Sequence, residues 1–332
     1  MRKILIWFIS FFLFTLIILL IFNYRYPFIT PAVGNWSVGY MQSQNLFPAP
    51  KLDENNIFSY KEIDALIPEG IDYIADPFFI IDSSGYYLFT ELKSKGNADI
   101  SLFTSEDGLD YKYQGIVLDE DFHLSYPQVF KYKHEYYMLP ETKGSGSVLL
   151  YKARKFPLEW EVEDTLLHNT GIKDPSILLS EELNLIVGVN DNLEQFFFTA
   201  DSLNGKWEEY PNYKSRWGNE SRPGGRFFKV DEEWYLPVQN RTLGYGTGIS
   251  IHKLGNNSGQ LELTLAHKMY FGPQSEIPWF NRGMHHLDVQ SNEKGYYMVY
   301  DGDRNTDGEK AFQYKRTLKF NLLDIYNFFR DD

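Results

Sequence analysis

The sequence predicts an all-β protein, a five-bladed β-propeller preceded by a single N-terminal transmembrane helix. Three observations carry this. A strand-turn-strand unit recurs five times, the copies lie near fifty residues apart, and a long apolar run without a charge is confined to the first 22 residues. A period of that size, with several short β-branched and aromatic runs in each copy, fits one four-stranded blade per repeat. About 300 residues exceeds what one simple two-layer core supports, and radial repetition buries sheet faces against each other instead.

Arg2 and Lys3 precede the apolar run of residues 4 to 22, whose 19 residues are about enough to span a bilayer core as a helix. The run ends in Asn23-Tyr24-Arg25-Tyr26-Pro27 with no small-residue cleavage pattern, which favours an uncleaved signal anchor over a signal peptide. Arg2, Lys3 and the terminal amine outweigh Arg25, so the positive-inside rule puts the N-terminus in the cytoplasm and the propeller outside, or in a lumen. Tyr24 and Tyr26 read as interface anchors, and Pro27 and Pro31 as the start of a short tether. The expected division is therefore 1–27 for the anchor and 28–332 for the propeller.

The first repeat reads Ala75-Asp76-Pro77-Phe78 and then Tyr87-Leu88-Phe89-Thr90-Glu91; the second reads Ser125-Tyr126-Pro127 and then Met138-Leu139-Pro140-Glu141. Pro and Glu stand 14 positions apart in both (77 to 91, 127 to 141). Further copies centre on Asp174-Pro175, Gly225-Arg226-Phe227 and His285-His286-Leu287-Asp288, so blade cores start near residues 74, 124, 172, 224 and 284. Residues 33 to 41 precede the first repeat as an unpaired strand. They are expected to close the ring by completing the last blade near residues 311–320, removing an exposed sheet edge. Third strands recur around residues 100–104, 148–152, 195–199 and 248–252, and the segment 105–111 has the Asp and Gly of a tight hairpin turn. Trp160 and Trp207 open the outer strands and are expected to pack between blades. Residues 322 to 329 are apolar enough to dock as either a short helix or a last strand.

The formal net charge of −13 argues against a nucleic-acid partner, which needs clustered Lys and Arg. Cysteine is absent, which excludes disulfides and thiol chemistry. An aromatic content of 17% suits propeller sheets, where large rings are ordinary core material, and equally suits sugar stacking.

In a propeller the innermost strands start at one end of the channel, and the second strands return to that end. First-strand starts offer Asp76, Tyr126, Asp174, Arg226 and His285-His286; second-strand ends offer Glu91, Glu141 and Asp301. Paired carboxylates are what glycoside chemistry uses, one as acid and the other as base or nucleophile. The alternative is that each Asp-Pro caps a turn through its carboxylate. His285 and His286 offer proton transfer or a metal ligand, although neighbours on a strand face opposite ways. Arg226 suits an anion or carboxylate clamp, or an internal ion pair with Asp174 or Glu141. No cofactor motif is evident, and a divalent ion in the channel stays open.

The runs Asn35-Trp36-Ser37-Val38-Gly39-Tyr40, His123-Leu124-Ser125-Tyr126-Pro127, Leu139-Pro140-Glu141, Phe156-Pro157-Leu158-Glu159-Trp160 and His285-His286-Leu287-Asp288-Val289 resemble the N-terminal domain of glucosamine inositolphosphorylceramide transferases. The likeness covers residues 35 to about 305. The sequence is similar, more distantly, to the five-bladed propellers of glycoside hydrolase family 43. That second resemblance implies Asp76 as base and Asp174 as the acid that tunes its neighbours. In family 43 the general acid is a Glu at the fourth-blade strand start, where this chain has Gly225-Arg226. Either Glu141 or a histidine of the 285-286 pair is then the acid, or the site binds glycans without cleaving them. The expected catalytic set is Asp76, Glu141, Asp174 and His286. The expected substrate-binding set is Glu91, His123, Tyr126, Arg226, His285, Asp288 and Asp301. In the plant enzymes a glycosyltransferase domain follows the propeller. The N-terminal run, the acid-lined mouth and the resemblance together lead to the expectation of a membrane-anchored, carbohydrate-active propeller acting on an extracytoplasmic polysaccharide or glycolipid by hydrolysis or transfer, or else of a glycan-binding module assisting a partner glycosyltransferase.

Overall fold

The computed structural model describes residues 2–23, 26–213, 215–257, 259–305 and 308–330. Five four-stranded antiparallel sheets are arranged as propeller blades. Blade 1 comprises Tyr73–Asp82, Gly85–Lys93, Ala98–Ser105 and Lys112–Leu118; blade 2, Ser125–Tyr132, Glu135–Glu141, Val148–Lys155 and Glu159–Leu167. Blade 3 comprises Lys173–Leu179, Asn184–Val189, Gln195–Thr199 and Glu208–Glu209; blade 4, Phe228–Val230, Glu233–Asn240, Gly248–Asn257 and Gln260–Phe271. Blade 5 is built from Leu287–Asn292, Gly295–Asp303, Trp36–Ser43 and Ile57–Phe58.

Because successive side chains of a strand point to opposite faces, each blade feeds two interfaces, and both of its faces are apolar. Phe78 and Phe79 show the split. Phe79 joins Leu88, Val38 and Val299 between blades 1 and 5, whereas Phe78 joins Phe89, Val129 and Met138 between blades 1 and 2. Equivalent clusters centre on Leu139, Leu150, Ile177 and Ile186, on Val187, Phe197, Leu236 and Val238, and on Ile249, Ile251, Val289 and Met298. Trp160 of blade 2 meets Phe89 of blade 1 edge-on at 5.7 Å, and Trp207 is buried with residues of blades 2 and 3.

Residues 36–43 do close the ring in the last blade, with a different partner from the one expected. Trp36–Ser43 pairs with Gly295–Asp303, in register from Trp36 opposite Asp303 to Ser43 opposite Tyr296. Residues 311–320 are not its partner: Lys310–Phe312 pairs with Ile29–Pro31, and Tyr314–Arg330 is an α-helix. The reason is periodicity. Gly295–Asp303 carries Tyr297, Val299 and Asp301 at strand spacing, whereas Thr317, Phe320, Asn321 and Asp324 recur at helical spacing and are buried on one face.

The N-terminal segment is a helix, Arg2–Asn23, with exposed apolar side chains from Ile4 to Ile17. The side chains of residues 19 to 23, and Tyr24 and Arg25 of the expected interface, lie outside the described residues. Among the described residues, no helix is long and apolar enough to cross a membrane.

Candidate functional site at the channel mouth

The first three repeats share a local distortion that aims side chains at the channel. Asp76, Tyr126 and Asp174 each precede a proline and have φ of +48°, +52° and +48°. Strand pairing skips at the same places, between Ala75 and Phe78, Ser125 and Gln128, and Lys173 and Ser176. Such a bulge bends the strand and re-aims its side chain, and Asp tolerates the left-handed region better than most residues. Register then brings Ala75 opposite Glu91 and Ser125 opposite Glu141, so the acids of the second strands end beside the bulges.

Blade 4 departs from the pattern because its backbone touches blade 5. A Cβ on Gly225 would come within 1.8 Å of the Leu287 carbonyl oxygen, and Leu287 N–H donates to the Gly224 carbonyl at 2.7 Å. Only glycine fits there. Tyr126 reaches across to this point: its hydroxyl accepts from Gly225 N–H (2.6 Å) and lies 2.7 Å from Ser176 Oγ. It is therefore a buried tie between blades, not part of the cavity wall.

A cavity of about 250 Å³ opens at the mouth, lined by Asp76, Glu91, His123, Glu141, Arg222, Tyr245 and His285, with Trp36 and Tyr73 among the neighbouring walls. Asp174 lies just behind it, gripped by Arg222 through Nε to Oδ2 (2.6 Å) and Nη2 to Oδ1 (2.8 Å), with Gln239 donating at 2.8 Å. Burial works against the Asp174 charge, but Arg222 overrides it and holds the carboxyl below its ordinary range. Glu141 accepts the Asp174 backbone N–H at 3.0 Å and sits 3.7 Å from Arg222 Nη2. Burial and the Asp174 charge push Glu141 up to about 8. The two neighbouring acids are thus driven apart, one ionised and one holding its proton.

Glu91 accepts from the Tyr73 hydroxyl at 2.7 Å and lies 3.1 Å from His123 Nε2. That contact with Glu91 raises His123, which sits at the half-open rim. Asp76 donates its backbone N–H to Asp301 at 3.1 Å, while its Oδ1 has no hydrogen-bond partner among the described residues. Burial, then the charges of Glu91, Asp174 and Asp301, raise Asp76 well above the usual carboxylate value.

His285 is held on three sides: Nδ1 lies 2.7 Å from Asp301, Nε2 is 2.6 Å from the Tyr245 hydroxyl, and the ring stacks on Trp36 at 3.9 Å. Asp301 also accepts the backbone N–H groups of Asp76, His285 and His286. Burial opposes its charge, yet His285 and these donors keep it low. Asp76, His285 and Asp301 bring ligand-type atoms within 4.8 Å of one another. Of these three, Asp301 and His285 are already committed to these hydrogen bonds, and Asp76 has an oxygen without a hydrogen-bond partner among the described residues.

Several expected site residues are placed elsewhere. Arg226 is engaged within the fold: it forms a forked ion pair with Asp288, in which Nη2 donates to Oδ2 at 2.9 Å, and the same Nη2 donates to the Phe79 carbonyl at 2.8 Å. Asp288, fully buried, also accepts the Phe79 N–H at 3.0 Å. The pair ties blades 4, 5 and 1 beneath the mouth. His286 points away from the cavity, edge-on to Phe78 at 4.5 Å, and burial lowers it to about 3, so its ring is neutral. Its Nδ1 still lies 3.6 Å from Asp76 Oδ1. Arg222, Tyr245 and Tyr73 escaped the sequence reading because they stand on loops or outside the equivalent positions. The only signal for Arg222 was its place before Pro223-Gly224-Gly225, a loop entering an inner strand.

The fold is a five-bladed propeller, similar in architecture to those of family-43 glycoside hydrolases. The structure of a thermostable family-43 glycoside hydrolase is similar with a TM-score of 0.51 and 14% identity, over 72% of this chain and 92% of that one. A putative glycosidase from Bacteroides thetaiotaomicron gives 0.53 and 13%, over 80% and 96%. At such identities the likeness is one of fold. The chain belongs to the family described as glucosamine inositolphosphorylceramide transferase 1, N-terminal, which matches residues 34 to 303. The rice (Oryza sativa subsp. japonica) glucosamine inositolphosphorylceramide transferase 1 is 32% identical over 72% of this chain, and the Arabidopsis thaliana protein of that name 28% over 83%. The chain spans only 34% and 40% of the length of these relatives.

Proposed function

We propose that this chain is a membrane-anchored, carbohydrate-active propeller whose channel mouth takes a sugar of an extracytoplasmic polysaccharide or glycolipid for glycoside hydrolysis or transfer. One observation carries the reading: Glu141, a carboxyl on the cavity wall, is pushed up to about 8 beside an Asp174 held ionised by Arg222. An acid that keeps its proton near neutral pH is what protonation of a leaving oxygen requires. Asp76 takes the complementary place. It lines the cavity, its buried Oδ1 has no hydrogen-bond partner among the described residues, and the burial that raises its pKa makes its ionised form a stronger proton acceptor. Glu91 with His123, and His285 with Tyr245, supply hydrogen-bonding walls for sugar hydroxyls. The family name, which refers to a glycolipid transferase, supports the substrate class. The uncharged apolar run of residues 4 to 22 in the sequence supports the anchor, and Arg2 and Lys3 before it support a cytoplasmic N-terminus.

A second reading, a glycan-binding module serving a partner glycosyltransferase, draws on Gly225, which leaves blade 4 without an acid. Isosteric changes separate the two. Asp76→Asn, Glu141→Gln and Asp174→Asn should each abolish turnover of a bound oligosaccharide while leaving much of its affinity, since the lost interaction belongs to the transition state. Affinity on a glycan array with no product from the unaltered protein selects the binding module. Unchanged turnover and affinity in all three variants would move the site elsewhere. Anchoring is tested by protease added to intact cells, which should remove the propeller.

A further inference from the structure

The C-terminal helix Tyr314–Arg330 has an unusual division of faces. The docked side is largely polar, with Thr317, Asn321, Asp324 and Asn327 buried beside Phe320. The side turned outward carries Tyr314, Leu318, Leu322, Tyr326 and Phe329, all exposed, with Leu322 66% and Phe329 73% open. These recur every three or four residues and so form one stripe. The stripe continues on the strand pair beside it, where exposed Ile29 and Phe312 stand opposite each other and Phe312 stacks on Tyr314 at 5.8 Å.

What covers this surface is indicated by its neighbours. The N-terminal helix, exposed and apolar along residues 4 to 17, packs against the C-terminal helix. The chain leaving it is clamped to that helix: Tyr26 stacks on Phe320 at 5.4 Å, and Thr317 Oγ1 donates to the Pro27 carbonyl at 3.1 Å. Lys315 and Lys319 stand beside the stripe and are exposed, in a chain of net charge −13, the Lys319 amine also reaching back to the Asp191 carbonyl. An apolar face edged by lysines and aromatic rings suits a helix lying in the interface of an anionic bilayer.

The docked side of the helix leads to the site. Arg316 donates to the Arg241 carbonyl at 2.8 Å, Arg241 lies over the Tyr245 ring at 5.5 Å, and Tyr245 bonds His285 in the cavity. Trp217 donates to Asp324 at 3.2 Å, and Lys319 to the Asp191 carbonyl at 3.0 Å. All these loops stand at the mouth end of the ring. We infer that the exposed stripe of the C-terminal helix, with Ile29 and Phe312, lies in the headgroup region of a lipid bilayer and holds the channel mouth at the membrane surface. A glycan attached to a lipid headgroup is then the ligand the mouth meets first. This rests on the anchored reading and adds a second, in-plane contact to it.

The chain has no cysteine, so single labels report cleanly. In the full chain, Leu13→Cys, Leu322→Cys and Ser84→Cys each carry an environment-sensitive fluorophore, and the protein is reconstituted into phosphatidylcholine and phosphatidylglycerol vesicles containing nitroxide-labelled lipid. Residue 13 reports the anchor, 322 the stripe, and 84 an exposed turn at the far end of blade 1. The expected result is quenching at 13 and 322 at least twofold stronger than at 84. Quenching at 13 with none at 322 overturns this inference and leaves the anchor standing; quenching at neither removes both. A blue-shifted but unquenched probe at 322 that depends on protein concentration assigns the stripe to a second copy, and also overturns the inference.

Discussion

Arg222 holds Asp174 through two hydrogen bonds, 2.6 and 2.8 Å long, while the same guanidinium lies 3.7 Å from Glu141. One cation thus serves two acids unequally, and the inequality decides which of them ionises. The Asp174 backbone N–H, donated to Glu141 at 3.0 Å, locks the pair in place, so charge and geometry at this side of the mouth are set together.

Removing that cation should be costly. Arg222→Gln strands a buried carboxylate, and loss of one partner of a buried pair typically costs about 3–5 kcal/mol. Arg222→Lys keeps the charge without the fork and should cost less. Urea unfolding of the three proteins tests the order, and equal midpoints would mean that the pair does not hold the mouth together.

Stability should carry the signature of Glu141. Its folded value is raised to about 8 from an ordinary 4.5. Its contribution is therefore full below the unfolded value and lost as pH rises through about 8. Asp174 and Asp301, held low, act in the opposite sense: their contributions are present above the ordinary carboxylate range and vanish as pH falls through their folded values. Glu141→Gln cannot ionise, so its melting temperature should gain on that of the unaltered protein between pH 5 and pH 8, by an amount on the order of a few kcal/mol in stability. Parallel melting curves across that window would remove the assignment.

The Arg226–Asp288 pair predicts a separation of stability from ligand handling. Arg226→Met should lower stability by about 3–5 kcal/mol, while glycan affinity measured well below the new melting temperature stays within twofold. A large loss of affinity without loss of stability would restore Arg226 to the ligand site.

Ring closure gives the remaining prediction. A chain starting at residue 45 lacks Trp36–Ser43, which pairs with Gly295–Asp303 along its whole length, and leaves an open edge. It should aggregate, whereas a chain starting at residue 28 should stay monomeric. Equal solubility and heat stability by light scattering and calorimetry would show that blade 5 closes without this strand.

The repeat was legible because blade geometry is local. A strand pair with a Pro-to-Glu spacing of 14 positions must return to its own end of the channel, so the sequence alone determined five blades and the return of Glu91 and Glu141 to the ends where the bulges at Asp76 and Tyr126 begin. It also determined that residues near Trp36 complete the last blade. Their partner follows from local spacing too, strand-like at Tyr297 and Val299 and helical over Tyr314–Arg330, while the register that sets Trp36 opposite Asp303 was decided only by the closed ring. The site divides in the same way. Asp76, Glu141 and Asp174 sit at equivalent bulges or beside them, where period alone finds them. Arg222, Tyr245 and Tyr73 do not, and only the folded ring brings them to the cavity. Arg226 shows the limit most plainly. Its register pointed to the channel, but the close approach of Gly225 to Leu287 turns blade 4, and a buried Asp288 waiting across the interface captures the guanidinium. Adjacency between blades depends on distances across the ring, which no spacing along the chain records.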